Sequence, residues 1–232
     1  RASGCSKGKG GSMHMFNIEG RFFGGHGIVG AQVPIGTGIA FAEKYNKTNN
    51  ICFTFLGDGA VNQGQVYEAF NIAALWSLPI IYVIENNEYS MGTSLERSTA
   101  MTELYRKGES FGIPGVQVDG MNIDEIYNTA SQAAEYVRSG KGPIIIEVKT
   151  YRYRGHSMSD PATYRTKEEV ESYKKKDPII KIRDFILKAK HATEDQLKEI
   201  EQKIKAKIAE VADFATSEPL PSEDELYTDI YK

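Results

Sequence analysis

The chain has 232 residues, of which 41% are hydrophobic and 25% are charged, with a formal net charge of −3 and a pI near 5.9. This composition fits one large globular domain or a domain with an appendage, and it argues against nucleic acid or an anionic membrane surface as the main partner. The longest apolar run, at about residues 72–84, contains Pro79 and is too short to cross a bilayer. The two cysteines, Cys5 and Cys52, favour free thiols in a reducing compartment over a disulfide framework. No signal or transit peptide is visible, and the chain opens at Arg1 without Met, so we expect that an N-terminal part is missing.

The first 150 residues predict helices that alternate with strands. Residues 1–30 hold nine of the 22 glycines, so we expect an irregular loop there. Helices are predicted for residues 31–45, 63–76 and 122–139, and the first of them is rich in small residues, as a closely packed helix would be. Nearly continuous apolar runs predict strands at residues 51–56, 79–85, 115–119 and 143–150, and residues 86–112 predict a long loop with short helical pieces. Uniformly apolar strands in this order are typical of a parallel sheet covered by helices on both faces, an α/β fold.

After residue 166 the sequence predicts a C-terminal helical extension. Thr193 and Gln196 have the spacing of a capping box at the start of a helix. An apolar stripe follows at helical spacing, and we expect it to dock on the domain or on a partner subunit; it comprises Leu197, Ile200, Ile204, Ile208 and Val211. The acidic tail from Ser217 is expected to be extended. We therefore divide the chain into an α/β domain at residues 1–166 and an extension with a tail at 167–232.

The feature that indicates chemistry is Gly57-Asp58-Gly59, followed after 26 residues by Asn86-Asn87. Asp58 ends one predicted strand and Asn87 follows the next, so both should project from the carboxyl edge of a parallel sheet, where open α/β sheets bind ligands. A carboxylate and an amide oxygen suit Mg²⁺ that also takes diphosphate oxygens, and the glycines allow a close approach of phosphate. An ordinary Asp-Gly turn without function is the competing interpretation.

These segments resemble a known family. Gly57 to Glu68 (GDGAVNQGQVYE) and Glu85 to Ser94 (ENNEYSMGTS) look like the cofactor motif in the alpha subunits of thiamine-diphosphate-dependent 2-oxo acid dehydrogenases. The resemblance continues in KGKGGSMHM at 7–15, GGHGIVGAQVP at 24–34 and YRYRGHSMSDP at 151–161, and so covers essentially the whole chain. It implies a thiamine-diphosphate-binding fold.

The resemblance assigns roles residue by residue. Asp58, the Asn87 side chain and the Tyr89 carbonyl would bind Mg²⁺, while Gly59 and Ala60 would contact the diphosphate. Gly27 and Val29 would present backbone groups to the aminopyrimidine ring, and Met91 would lie near the cofactor. The segment after the fourth strand reaches the same sheet edge, where Arg152 is expected to neutralise diphosphate and His156 to hydrogen-bond the diphosphate or reacting groups, with proton transfer as a further role.

The implied activity is oxidative decarboxylation of a 2-oxo acid with acyl transfer to a lipoyl group. The loop Arg154 to Pro161 looks like that of the pyruvate-specific members, with a branched-chain or acetoin dehydrogenase and a non-catalytic subunit as the alternatives. The resemblance also implies a beta subunit in an alpha-two beta-two assembly, a lipoyl acyltransferase core as partner, and a bacterial cytoplasm or mitochondrial matrix as location. The family's activating glutamate comes from the beta subunit, and its upstream Tyr-Arg pair would precede Arg1.

One motif match is rejected, and the roles of two residues, His26 and Ser157, stay open. Residues 25–30 (GHGIVG) match the dinucleotide fingerprint by letter, but no clear strand precedes them and Asn49 and Asn50 stand where its acidic residue belongs. His26 lies in this glycine-rich segment with an undecided role. Ser157 matches a position that is phosphorylated in mitochondrial relatives, although an ordinary loop hydroxyl is the simpler interpretation.

Overall fold

The computed structural model describes residues 1–230. Two compact units divide it: one runs from Ile28 to Arg183, and the other combines Arg1–Gly27 with the chain from Asp184 onward. We describe each unit by itself. None of the helices in the described residues is long and apolar enough to span a membrane.

The larger unit contains a four-stranded sheet and most of the helices. In chain order its elements are α1 (Gln32–Tyr45), β1 (Cys52–Gly57), a 3₁₀ turn (Ala60–Asn62), α2 (Gly64–Leu75), β2 (Ile80–Asn86), β3 (Tyr89–Ser90), β4 (Thr93–Ser94), α3 (Leu95–Ser98), a 3₁₀ segment (Leu104–Phe111), β5 (Gly115–Asp119), α4 (Ile123–Arg138), β6 (Ile144–Lys149), α5 (Lys167–Lys174) and α6 (Pro178–Lys188), the last of which runs past the unit boundary. The predicted helices and strands of residues 31–150 are confirmed to within one or two residues at each end.

The main sheet is parallel throughout, in the order β1-β2-β6-β5. The register pairs Gly57 with Glu85 and Asn86 with Lys149, so β1, β2 and β6 end at neighbouring points of one edge. β3 and β4 form a separate antiparallel hairpin just beyond the end of β2.

Both faces of the main sheet carry helices, as predicted. One face packs against α1, α2 and the 3₁₀ segment, with a core that includes Val33, Phe70, Tyr82, Leu104 and Ile145. The other face packs against α4, through a cluster that includes Ile81, Val83, Ala133, Val137 and Ile146. Burial of these side chains accounts for most of the hydrophobic stabilisation, at about 1.5–3 kcal/mol for each fully buried large residue.

Helix α1 approaches β1 closely. A Cβ atom on Gly36 would lie 1.9 Å from Thr54 Oγ1, whereas one on Gly38 would meet nothing within 4 Å. Thr37 donates to the Val33 carbonyl at 2.8 Å and shares a 2.8 Å hydrogen bond with the Tyr82 hydroxyl, so α1 is fixed to the sheet by packing and by polar contact. The predicted tight packing of this helix is found within the chain itself.

The smaller unit combines the glycine-rich N-terminal segment with α7 (Glu194–Ser217) and a 3₁₀ turn (Glu223–Tyr227). Thr193 and Gln196 form the predicted capping box. The apolar stripe of α7 is exposed in the single chain at Ile200, Ile204, Ile208 and Val211. The expectation of an extended tail from Ser217 is wrong at Glu223–Tyr227, which form the 3₁₀ turn, while α7 ends at Ser217 itself. Lys9 stabilises that fold through Glu225 and Asp229, each at 3.1 Å.

Candidate active site at the carboxyl edge of the sheet

The predicted site residues of the first two strands meet where these strands end. Asp58 directly follows β1 and Asn86 ends β2, and the register that pairs Gly57 with Glu85 brings them side by side. A Cβ atom on Gly59 would lie 2.1 Å from Ser90 Oγ, so the turn after β1 also contacts the β3–β4 hairpin without room for a side chain. The sheet edge therefore gathers Asp58, Asn87 and Tyr89 in one region.

Asp58 is a buried carboxylate that lacks a full set of partners. Its side chain is only 2% exposed, and its Oδ2 atom is buried without a hydrogen bond. Burial raises the pKa of this carboxyl above its usual range, and the Glu88 charge acts in the same direction, while the backbone N–H groups of Asp58 and Gly59 and the Arg152 guanidinium lower it. A buried acceptor without a partner is unfavourable by itself and suits a bound cation.

The turn between β2 and β3 is sharp. Glu88 adopts a left-handed backbone with a φ of 73°, and Met91 in the hairpin has a φ of 54°. The Asn86 side chain accepts the Glu88 N–H at 3.1 Å, and the Asn87 side chain accepts the Tyr89 N–H at 3.4 Å. Ser90 Oγ is a second buried polar atom without a partner, and it lies against Gly59.

Arg152 fastens the segment after β6 to this hairpin. Its guanidinium donates to the carbonyls of Tyr89 (3.1 Å) and Met91 (2.6 Å) and to the Tyr164 hydroxyl (2.9 Å). The Tyr89 carbonyl, the predicted third metal ligand, thus already accepts one hydrogen bond, and its second lone pair remains. The structure brings Arg152 to the same edge as the predicted diphosphate residues.

His156 lies on an exposed loop. Its backbone N–H donates to Asp160 Oδ2 at 2.7 Å, and the same carboxylate accepts the Tyr164 hydroxyl at 2.8 Å. Hydrogen bonds from the His156 and Ala162 backbone, with that of Tyr164, lower the pKa of Asp160 below its usual range. Asp160 organises this loop, while the imidazole of His156 stays exposed. Ser157 shares a 3.1 Å hydrogen bond with Ser159.

The glycine-rich segment divides between the two units. Val29 is exposed, and its carbonyl accepts Gln65 Nε2 at 3.0 Å, which places it beside the start of α2. Gly27 belongs to the smaller unit, where a Cβ atom would come within 3.3 Å of His14 Nε2. The two residues predicted to face the aminopyrimidine ring are thus described in separate units.

The residues at the edge fit a divalent cation with a diphosphate. Within residues 1–230 no group of three or more His, Cys, Asp or Glu side chains is arranged to hold a metal. The oxygen set present, one carboxylate with an amide and a main-chain carbonyl, instead suits Mg²⁺ completed by phosphate oxygens and water. The unpartnered Asp58 Oδ2 is the observation that supports this fit.

Two further residues were missed by the sequence reasoning. Ser90 carries no signal, because a small polar residue in a loop is common. Glu147 does carry one: it is the single charged residue within the apolar run Pro143–Val148, and it is completely buried. A lone carboxylate in such a run indicates a specific set of hydrogen-bond donors around it.

Taken together, the fold and the edge define an α/β protein with a candidate cofactor site at the carboxyl ends of parallel strands. The profile of the family described as "Dehydrogenase E1 component" matches residues 1–223. The chain belongs to this family.

Several proteins are similar over the whole chain. The pyruvate dehydrogenase E1 component subunit alpha of Rickettsia felis is 71% identical over 231 residues, which cover 100% of this chain and 71% of that protein. The protein of the same name from Rhizobium meliloti is 57% identical, over 99% of this chain and 66% of its own length. A mitochondrial one from Dictyostelium discoideum is 54% identical, over 100% of this chain and 61% of its own length.

Proposed function

We propose that this chain is the alpha subunit of a pyruvate dehydrogenase that uses thiamine diphosphate and Mg²⁺. Proteins of the family depend on thiamine diphosphate, and relatives at 54–71% identity carry the name of this subunit. The observation that carries the proposal is the buried Asp58 with an unpartnered oxygen at the edge that also bears Asn87 and Arg152. The division at residue 166 into a cofactor domain and a helical extension stays a prediction.

Each residue at the edge has a defined task in this proposal. Asp58 and Asn87 would hold the cation with the Tyr89 carbonyl, and Gly59 and Ala60 would contact the diphosphate. Arg152 offsets the phosphate charge. When bound, thiamine diphosphate would supply a nucleophilic thiazolium carbon and an electron sink for the decarboxylation of a 2-oxo acid. His156, exposed on its loop, is available to orient or protonate the reacting group.

The chain needs a second subunit to complete this chemistry. Asp58 and Glu147 are the buried carboxylates of the described chain, and neither is free to act as an acid on the aminopyrimidine ring. Asp58 is assigned to the cation, and Glu147 is surrounded by N–H donors. The acid therefore comes from a beta subunit in an alpha-two beta-two assembly, and the acyl group passes to the lipoyl group of an acyltransferase core. A bacterial cytoplasm or mitochondrial matrix remains the predicted location.

The direct test compares Asp58→Ala with Asp119→Ala in the enzyme assembled with its beta subunit. Both aspartates stand at the carboxyl end of a parallel strand and precede a glycine, but Asp119 is exposed and its side chain accepts the Met121 N–H at 2.9 Å. Loss of Asp58 should weaken Mg²⁺–thiamine diphosphate binding by about 2–4 kcal/mol, roughly 30- to 1,000-fold, because one charged ligand disappears. Calorimetric titration measures the affinity.

The Asp119→Ala enzyme should bind the cofactor as tightly as the parent enzyme does. It should also release carbon dioxide from pyruvate faster than from branched 2-oxo acids. Equal affinity in the two variants would remove Asp58 from the cation site. Turnover by the alpha chain without the beta subunit would refute the shared site, and preference for a branched substrate would favour the branched-chain alternative.

His156 provides a separate kinetic prediction. His156→Ala should lower kcat by about 10²- to 10⁴-fold if the imidazole transfers a proton in the rate-limiting step. Affinity for Mg²⁺ should change little, because the exposed ring is not among the cation ligands. His191→Ala, another exposed histidine, is the matched control. An unchanged kcat with weakened cofactor binding would reassign His156 to diphosphate contact alone.

A further inference from the structure

Glu147 is a buried carboxylate for which the proposed chemistry has no use. It lies in β6 between Ile146 and Val148 and has no exposed surface. A carboxylate in such a place is unfavourable unless donors meet its oxygens. Its surroundings therefore show what it holds in place.

Three N–H donors surround Glu147. Asn86 Nδ2 donates to Oε1 at 2.6 Å, while the Tyr105 backbone N–H and Gln117 Nε2 each donate to Oε2 at 3.1 Å. These donors come from the end of β2, from the 3₁₀ segment and from β5. Glu147 thus connects three elements at one buried point beneath the carboxyl edge.

The contact with Asn86 controls which way that amide faces. Because Nδ2 points to the carboxylate, Oδ1 must point the other way, and there it accepts the Glu88 N–H at 3.1 Å. Glu88 has the left-handed backbone that turns the chain between Asn87 and Tyr89. The Asn86 carbonyl also accepts the Thr150 N–H at 2.9 Å, so main chain and side chain of this residue are both fixed.

We propose that Glu147 is a positioning residue for the cation site: by orienting the Asn86 amide it sets the turn that presents Asn87 and the Tyr89 carbonyl. The inference rests on the proposed function, since it concerns the same cation. Glu147 does not touch the cation or the substrate. Its effect passes through the Asn86 side chain and the Glu88 N–H.

The first variant is Glu147→Gln, which has almost the same shape. One of its two terminal atoms becomes a donor, so it cannot accept from Asn86 and from the Tyr105 and Gln117 donors together. If the new amide group faces Asn86, the Asn86 amide must reverse, and its own N–H₂ then opposes the Glu88 N–H. The turn loses its hydrogen bond in that arrangement.

The pairing is restored by combining Asn86→Asp with Glu147→Gln. The new carboxylate accepts from the new amide on one side and from the Glu88 N–H on the other. The amide oxygen still accepts from Tyr105 and Gln117. Net charge and every hydrogen bond are retained. Gln117→Ala is the matched control, because it removes a Glu147 partner that does not contact the turn.

The measurements are a calorimetric Mg²⁺ titration of the assembled enzyme with saturating thiamine diphosphate, and hydrogen exchange of residues 86–90 without either ligand. Glu147→Gln should weaken Mg²⁺ binding by about 10- to 100-fold, as loss of a supporting contact to a metal ligand commonly does. Exchange at the turn should be roughly tenfold faster. The paired change should return both values to within about threefold of the parent, and Gln117→Ala should stay within the same range.

The outcomes separate the two claims. Failure of the parent enzyme to bind Mg²⁺ with thiamine diphosphate would overturn the proposed function. Normal binding by the parent and equally tight binding by Glu147→Gln, with unchanged exchange at the turn, would overturn only the role of Glu147. A purely structural role would also be shown if Glu147→Gln and Gln117→Ala lowered Tm and affinity alike, or if the paired change brought no recovery.

Discussion

Two buried carboxylates near the carboxyl edge of the sheet differ in how completely they are hydrogen-bonded. Asp58, in the turn after β1, has an oxygen without any partner. Glu147, inside β6, has three donors on its two oxygens. Both are nearly or fully buried, at 2% and 0% exposure. Hydrogen-bond satisfaction, and not burial, therefore separates a group that is ready for a ligand from one that supports the structure.

The largest effect on stability is expected at the satisfied carboxylate. Glu147→Ala removes the acceptor of three donors, and two of them, Asn86 Nδ2 and the Tyr105 N–H, are left without a partner because the exposed Gln117 finds water. The free energy of unfolding should fall by about 3 kcal/mol, since each buried donor without a partner costs about 1–3 kcal/mol. Asp58→Ala should cost less, about 1 kcal/mol in the ligand-free chain, because it loses the hydrogen bonds from the Asp58 and Gly59 N–H groups but also removes a buried oxygen without a partner. Denaturant unfolding of both variants measures the difference. Equal losses would contradict the comparison.

Gly59→Ala tests how closely the edge is packed around Asp58. The added Cβ would lie 2.1 Å from Ser90 Oγ and 2.6 Å from Ser90 Cβ, so the β3–β4 hairpin has to move. We expect a loss of about 1–3 kcal/mol in unfolding free energy, the usual cost of overpacking, together with weaker cofactor binding. Gly38→Ala is the control, and it should change the free energy of unfolding in the opposite direction. Its Cβ would meet nothing within 4 Å, so Ala in α1 should stabilise the chain by about 0.5–1 kcal/mol. A tolerated Gly59→Ala would show that the hairpin is free to shift.

The smallest effect concerns charge at Asp58. Its folded-state pKa is raised, mainly by burial, so the ionised form destabilises the ligand-free protein. This penalty is absent below the ordinary aspartate pKa, grows as the pH rises toward the folded-state pKa, and is complete above it. Asp58→Asn should therefore have the higher Tm at pH 7, by roughly 2–4 °C for each 1 kcal/mol removed.

That Tm advantage should shrink as the pH falls and vanish in acid. In the parent enzyme, Mg²⁺ affinity should fall by up to about tenfold per pH unit below the folded-state pKa of Asp58, because protons then compete with the cation. Thermal scans and titrations over a pH series measure both quantities. A pH-independent Tm difference would assign the stabilisation to shape rather than to charge.

The sequence predicted the sheet well because its strands are mostly apolar and their boundaries carry glycine, proline or asparagine. It also predicted that Asp58 and Asn87 would share an edge, since parallel strands with crossover helices leave no other arrangement. The 3₁₀ turn at Glu223–Tyr227 was not predictable from local pattern, because it depends on Lys9, more than 200 residues away along the chain. The partners of Glu147 could not be predicted from the sequence for the same reason, because the Tyr105 and Gln117 donors come close to it only in the folded sheet.

The Arg152 contacts have a consequence for sequence variation. The guanidinium donates hydrogen bonds to the main-chain oxygens of Tyr89 and Met91 in the hairpin, and every amino acid provides such an oxygen. These two contacts therefore do not depend on the side chains at positions 89 and 91, although the Tyr89 hydroxyl makes a further contact of its own by donating to Glu169 at 3.0 Å. The requirement falls on Arg152 alone, whose planar fork spans both acceptors in a way that a lysine ammonium does not reproduce. A constant arginine beside a variable side chain at position 91, which is exposed, is the substitution pattern that these contacts would leave among related chains.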